Sequence, residues 1–506
     1  MKSKTFGAAS VAESETIAEN SGAEARQTFM AVFYWRKIMR AGMASGLCLV
    51  LTACQADGPY KAPKFPFAAA YKGASRAVPV LLANAAWWER LRDPVLNRLI
   101  AQALQGSPSI DAAQARILQA RAAFDATPGL ANLSSSVGLN ATGTDVTGPV
   151  ATGTLNLGFS WLLDPYGAKR AERRAAGGRI TVAEAEQDAA KLTLIRALTN
   201  AYVDLRYRQE LLGLHEQEMR SRRQTLAMTR TLFDAKSATR LEITRSEARL
   251  AEIEAQQPMR RAAITAKQNE IAVLIGVVPG ALGINLEMRA DQPRPDLSPD
   301  VGIPADLLRN RPDILIAERR YYIALADLGQ ARASLYPRLS LTGTITATAV
   351  QNSRRAAEYS FGPALQLPVL PGKPARATVE GGRARVVEAH AIWKSTVLSA
   401  VLQVENALID YRAASASAQS SDKAVRLYNE ALDLTREVFV QGNATLGDLI
   451  DAEQALASAE QARADMRARW GQSFVDLNIS LGAGHSTGEP PQRQSVAPVA
   501  VAQQSE

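Results

Sequence analysis

Two periodicities of apolar and polar positions divide the chain between them. Leu339, Leu341, Gly343, Ile345, Ala347 and Ala349 alternate with Ser340, Thr342, Thr344, Thr346 and Thr348. Phe361, Pro363, Leu365 and Leu367 alternate with Gly362, Ala364, Gln366 and Pro368, and residues 133–140 and 155–161 show the same alternation. A period of two over about 10 residues fits a half-buried strand, and it equally fits a bilayer-spanning strand with its apolar side to lipid. Alternation alone leaves both readings open. Trp161, Tyr336, Tyr359 and Phe361 are expected near strand ends, where an aromatic girdle would lie.

Elsewhere the period is helical. Leu398, Val401, Leu402, Val404, Leu408 and Ile409 recur at three- and four-residue steps with Gln403, Glu405, Asn406 and Asp410 between them, which predicts one apolar face. Neither Gly nor Pro occurs between Gly382 and Gly442, and residues 179–257 hold Gly213 and no proline. A helix of about 60 residues would reach roughly 90 Å, so it must lie along other helices. The chain is expected to turn at 235–239 and 443–445, where Thr239 and Thr445 can cap returning helices. Pro258 should kink the first of these. Shorter helices are predicted over 110–126 and 313–335, with Pro312 and Asp313 suited to a first turn.

These patterns occur twice. Residues 158–165, 233–239 and 274–276 match 364–371, 439–445 and 480–482 at one offset of 206, and residues 110–123 parallel 314–327. The chain therefore divides into a leader with signal peptide (1–53), an N-terminal linker (54–89), repeat one (90–292), a linker with Pro293, Pro295, Pro299 and Pro304 (293–305), repeat two (306–484) and a disordered tail (485–506). Each repeat contributes short helices, two strands and one long helical hairpin. Four strands are too few to close a barrel, and an open edge in lipid leaves backbone groups unpaired. If the strands span a membrane, several chains must share one barrel: eight strands for two copies, twelve for three.

The N-terminus reads as an address. Arg36, Lys37 and Arg40 precede an apolar run over 41–51, and Leu51-Thr52-Ala53-Cys54 follows. That ending resembles the bacterial lipobox, which implies a lipidated Cys54, and Gln55 after it points to the outer membrane.

Composition narrows the classes further. Hydrophobic residues are 47% and charged residues 21%, which excludes wholesale disorder. The longest uncharged apolar run, over 41–53, is shorter than the roughly 20 residues of a spanning helix. Three histidines and two cysteines leave little material for a zinc or redox site, so no metal and no cofactor are expected. A formal charge of +8 over 506 residues is too weak a basic excess to predict a nucleic-acid partner. His215, His390 and His485 are far apart in sequence and are read as solvated or tip-polar, and Glu252 and Glu254 as solvated helix faces. No nucleophile constellation argues for an enzyme.

Several stretches carry a family resemblance: residues 87–104, Trp161 through Gly167 (WLLDPYG), Asp306 through Ile314 (DLLRNRPDI), 331–341 and 442–452. In that order they resemble the outer-membrane efflux factors, the TolC-like channels, and within them the NodT-type lipoprotein branch, over roughly residues 54–484. The fold class this implies is mainly α with a membrane β-barrel portion: long antiparallel helical hairpins forming an α-barrel, and four strands per chain in a shared twelve-stranded barrel. The resemblance further implies a homotrimer in the outer membrane with a helical part in the periplasm. It would be a passive exit duct for small molecules delivered by a periplasmic adaptor and an inner-membrane pump, expected to be proton-driven. The turns Lys236, Ser237, Ala238, Thr239 and Gly442, Asn443, Ala444, Thr445 would be the adaptor-docking tips, although Gly442 also suits a plain tight turn. Lys236 stands where the first tip usually has glycine, which predicts a departure in its geometry. Asp448 and Asp451 would form a periplasmic gate. A solvated acidic helix start is the alternative, and Glu242 and Arg245 at the aligned positions predict that the two hairpins differ there. A coiled-coil structural or adhesin lipoprotein is the rival reading; it accounts for the helices but not for the Thr-rich strands.

Overall fold

The computed structural model describes residues 60–72, 86–143, 148–295, 304–351, 355–367 and 372–485. Cys54, its leader, Pro299 with most of the linker, and the tail beyond His485 lie outside the described residues. A 3-10 turn Trp87–Leu91 precedes helices α1 (Pro94–Gly106) and α2 (Pro108–Asp125), strands β1 (Ala131–Thr142) and β2 (Val150–Leu163), and the hairpin of α3 (Ala168–Asp234) and α4 (Arg240–Leu274). The order then recurs: α5 (Leu307–Asn310), α6 (Pro312–Ala333), β3 (Arg338–Val350), β4 (Ala356–Gln366), α7 (Lys373–Val440) and α8 (Leu446–Ser480). The outgoing helices have 67 and 68 residues and the returning helices 35 each, so the duplication read from the offset holds element by element. No described helix is long and apolar enough to cross a membrane. Pro258 lies inside α4 without ending it.

Two compact units interleave along the chain. One takes residues 128–172 and 328–379, among others, and the other takes 61–127, 173–327 and 380–506. Each draws on both repeats.

The first unit is a four-stranded antiparallel sheet in the order β1-β2-β3-β4. Its register puts Leu133 opposite Phe159, Leu157 opposite Ile345 and Ile345 opposite Tyr359, all on one face. Asn156, Thr346, Thr344 and Ser360 lie on the other face, where the Thr346 hydroxyl donates to Asn156 at 2.9 Å and the Thr344 and Ser360 hydroxyls meet at 2.8 Å. The apolar face is bare in the single chain, with Leu139 and Tyr359 about 85% and 84% exposed. Phe361 departs from its expected place at a strand end and sits mid-strand in β4. The cause is that β4 begins at Ala356, five residues before it; Gly343 opposite then leaves room for the ring, since a Cβ there would meet it at 2.7 Å. Below the strands, Tyr166 and Tyr336 stack at 4.5 Å, and the Asp164 carboxylate accepts the Lys169 and Arg170 amides that open α3.

In the second unit, the core gathers Leu99 of α1, Tyr202 of α3, Ile271 of α4, Ile314 of α6, Val404 of α7 and Phe474 of α8. Trp87 is buried on Phe474 and donates its indole N–H to the Ala483 carbonyl at 3.2 Å. Arg311 bonds the Ser480 carbonyl at 2.7 Å, Gln403 at 2.9 Å and Asp313, which ties the start of α6 to α7 and to the end of α8. Two polar expectations are corrected here. His215 and His485 are buried, not solvated, and burial lowers the pKa of both. His485 contacts the Gly482 carbonyl through Nδ1, and His390 is edge-on to Tyr321. The α7 stripe is also two faces rather than one. Val397, Ala400, Val404 and Leu408 are buried, whereas Leu398, Leu402 and Ile409 are exposed, because the helix carries a second apolar row about a quarter-turn away.

One glycine closes each repeat. Gly276 and Gly482 both have positive φ (84° and 75°), and a Cβ there would stand 2.1 Å from the Gly106 carbonyl oxygen and 2.2 Å from that of Asn310. Backbone cannot yield as a side-chain tip does. Gly276→Ala and Gly482→Ala should each destabilise the fold by about 2–4 kcal/mol, read as a lowered thermal midpoint by circular dichroism. Unchanged midpoints would show that the two contacts are loose.

Candidate functional site at the hairpin tips

Both hairpins turn in the same way. In the first, Lys236 adopts φ 59°, its amide bonds the Phe233 carbonyl at 2.8 Å, and the Ser237 amide bonds that of Leu232 at 2.8 Å. In the second, Gly442 adopts φ 78°, with the Gly442 amide on Phe439 at 2.9 Å and the Asn443 amide on Val438 at 3.0 Å. The departure expected from Lys236 is therefore absent. Lysine accepts the left-handed conformation that glycine takes freely, at about 1–2 kcal/mol, because the paired carbonyl contacts fix the turn.

Reciprocal caps follow each turn. Thr239 accepts the Glu242 amide and Glu242 reaches back to the Thr239 amide; Thr445 and Asp448 repeat this, with the Thr445 amide on Asp448 Oδ2 at 2.8 Å. Hydrogen bonds from the Thr239 backbone and side chain hold Glu242 below its ordinary pKa. Those from the Thr445 side chain and backbone do the same for exposed Asp448. In the single chain Asp448 is a helix cap, and its pKa moves opposite to the rise that crowded like charges would cause. The two hairpins are thus equivalent at 242 and 448. They differ at Arg245 and Asp451, both exposed.

Just beyond Asp451 lies a buried ion pair with no motif around it. Arg222 of α3 donates to Glu453 of α8 at 3.0 Å, with side chains 4% and 5% exposed. Ser221 and Thr225 donate to the other Glu453 oxygen at 2.7 and 3.1 Å, and Arg222 also reaches Gln454 at 3.1 Å. Arg436 of α7 stands 3.7 Å from Glu453 and donates to Ser221 at 3.3 Å. The offset could have exposed this site. Arg230 and Glu247 of repeat one, 206 residues before Arg436 and Glu453, pair at 2.8 Å in the open. Repeat two keeps that pair, and Arg222 of repeat one closes over it. Below it, Val425, Leu432, Leu449 and Leu456 form a small separate core.

A sheet with an apolar face bare in the single chain, joined in sequence to duplicated helical hairpins with matched tips, defines a subunit of a membrane channel. The family model described as outer membrane efflux protein matches residues 99–277 and 303–483. Nodulation protein T of Rhizobium leguminosarum bv. trifolii is 31% identical over 452 residues, which is 87% of this chain and 96% of that protein. Outer membrane protein OprJ of Pseudomonas aeruginosa is 28% identical over 464 residues, 87% and 95% of the two chains. Among solved structures, the outer-membrane channel OprN superposes with a TM-score of 0.77 at 28% identity, over 85% of this chain and 100% of that one. The open-state MtrE channel of Neisseria gonorrhoeae shares the fold, with a TM-score of 0.74 at 24% identity, over 85% and 98%. The chain belongs to the outer membrane efflux protein family, and it is an efflux channel of the outer membrane with a helical part in the periplasm. The adhesin reading is not favoured.

Removing one partner of a buried pair leaves the other charged and unsolvated. Arg222→Met and Glu453→Leu should each lower stability by about 3–5 kcal/mol, and the double variant should recover most of that loss. Denaturant midpoints of the purified channel measure it; additive losses would mean the two residues are not coupled.

Proposed function

We propose that three copies form one passive exit duct, with the four strands of each chain closing a twelve-stranded barrel and the paired hairpins forming an α-barrel. The open sheet carries this reading. β1 and β4 each pair on one side only among the described strands, and the sheet's apolar face is exposed. Lipid offers neither edge a hydrogen bond, so the edges must meet other chains. The exposed α7 row of Leu398, Leu402 and Ile409 gives the helices a second surface to bury in the same assembly. The relatives' names support the wider system: OpmQ of Pseudomonas aeruginosa is a pyoverdine export outer membrane protein, and TtgC of Pseudomonas putida belongs to a toluene efflux pump. In our reading a periplasmic adaptor docks at 236–239 and 442–445 and links the duct to a proton-driven inner-membrane pump. The duct itself performs no catalysis. Asp448 and Asp451 of three chains face one axis as the gate, and Cys54 carries acyl chains that anchor the mature N-terminus.

Native mass spectrometry of the detergent-purified protein should give a trimer, and a monomer would sink the shared barrel. Asp448→Ala with Asp451→Ala should raise single-channel conductance and lower cation selectivity in planar bilayers. Because Asp448 also caps α8, the Asp448→Asn Asp451→Asn pair, which keeps an acceptor there, should show the same selectivity loss with less unfolding of the turn. If neither pair changes conductance or selectivity, these residues are caps and no gate. Cys54→Ser should abolish incorporation of labelled palmitate, and retained label would place the anchor elsewhere. Ala444→Trp should weaken export of a pump substrate without reducing the trimer; export at the wild-type level would remove the tips as the docking contact.

A further inference from the structure

The polar face of the sheet is ordered in rows by strand register. Ser136, Asn156, Thr346 and Glu358 make one row, and Arg338 with Gln366 makes another. Serine, threonine, asparagine and glycine fill most of the remaining positions on that face. Among all residues of the four strands, the charged side chains are Arg338 and Glu358, and both have the parity of the polar face. The neighbouring hydroxyls and amide satisfy one another, through Thr346 on Asn156 and Thr344 on Ser360. Glu358 is exposed and forms no ion pair among the described residues. Eight steps of β3 separate the Arg338 row from the Thr346 row, a distance of about 26 Å at 3.3 Å per residue. Arg338 stands at the strand end that connects to α6. Glu358 stands towards the β3–β4 turn, which is the far end of the sheet.

We infer that Glu358 is a selectivity residue of the outer passage, favouring small organic cations over anions of similar size, with Arg338 acting in the opposite sense at the inner end. This rests on the reading that three copies close the sheet with its polar face inward. Strands about 4.8 Å apart and tilted near 40° would give twelve of them a backbone radius of about 12 Å. Three carboxylates on side chains pointing inward then stand about one Debye length, roughly 8 Å at physiological salt, from the axis. Every point of the lumen at that row lies within about one Debye length of the nearest carboxylate, and the rest of the row contributes only neutral dipoles. The row is distinct from the gate: it lies on the strands, whereas Asp448 and Asp451 begin α8.

Reversal potentials under a potassium chloride gradient test this in the Asp448→Ala Asp451→Ala background, which removes the other acidic residues assigned to the axis. Glu358→Gln should lower the cation-to-anion permeability ratio roughly twofold near 0.1 M salt, with the difference vanishing near 1 M, and Arg338→Gln should raise it. Glu358→Cys should behave as Glu358→Gln until a negatively charged thiol reagent, added to the assembled channel, restores the ratio. A ratio unchanged by Glu358→Gln, or a cysteine that the reagent does not reach, overturns the assignment while leaving the channel intact. If the unsubstituted protein forms no conducting trimer, the shared-barrel reading is overturned instead, and the assignment with it.

Discussion

A backbone amide or carbonyl facing hydrocarbon without a partner costs several kcal/mol, and each further residue of an open strand edge adds to the sum. The rest of the architecture answers to that cost. The sheet has two such edges, on β1 and on β4, and no helix of the described chain can cover them within lipid. Closure by copies of the same chain removes every edge at once and brings the long helices together with the same symmetry. Under the proposed closure α7 needs two apolar rows where a helix of a self-contained bundle would need one. Val397 and Val404 serve the chain's own core, and Leu398 and Leu402 are exposed in the single chain.

Duplication supplies the parts, and the two repeats then depart from one another at particular residues. The turns are superimposable in bonding pattern, the caps are reciprocal in both hairpins, and each repeat closes on a glycine pressed against a carbonyl. Against that sameness, Arg230–Glu247 stays exposed while Arg436–Glu453 is covered by Arg222. A buried charge pair is a poor source of net stability next to a well-packed apolar alternative, but it penalises any arrangement that separates its members. The pair therefore fixes how repeat one's outgoing helix meets repeat two's returning helix close to the tips.

Most of the fold was legible because it is periodic. Two-residue alternation located all four strands, and the scarcity of glycine and proline located both long helices, although these begin at Ala168 and Lys373, about ten residues before the expected stretches, with glycines inside their first turns. Thr239 and Thr445 could be read as caps since a capping box is local, spanning three residues. The losses share one cause, which is that burial depends on contacts between distant segments. Nothing near His215 or His485 in sequence shows that other segments cover them. Phe361 is an exception: it lies mid-strand and not at a strand end because β4 starts at Ala356, where the alternation of the later residues gives no sign of it. The Arg222–Glu453 pair spans 231 residues, so only a comparison of the repeats at their offset could have raised it.

Lys236 shows how such divergence is retained. A left-handed lysine costs about 1–2 kcal/mol that glycine at the same turn would not, and the second repeat has glycine there. Strain of that size persists where the side chain contributes elsewhere. Within the turn the lysine's backbone does what Gly442's does, amide for amide, so the two tips differ in the ammonium group and not in the turn. At the first tip it stands between Asp234 and Arg240 in sequence, whereas the second tip, 441–444, carries no charge. The two tips thus share one backbone geometry and differ in charge.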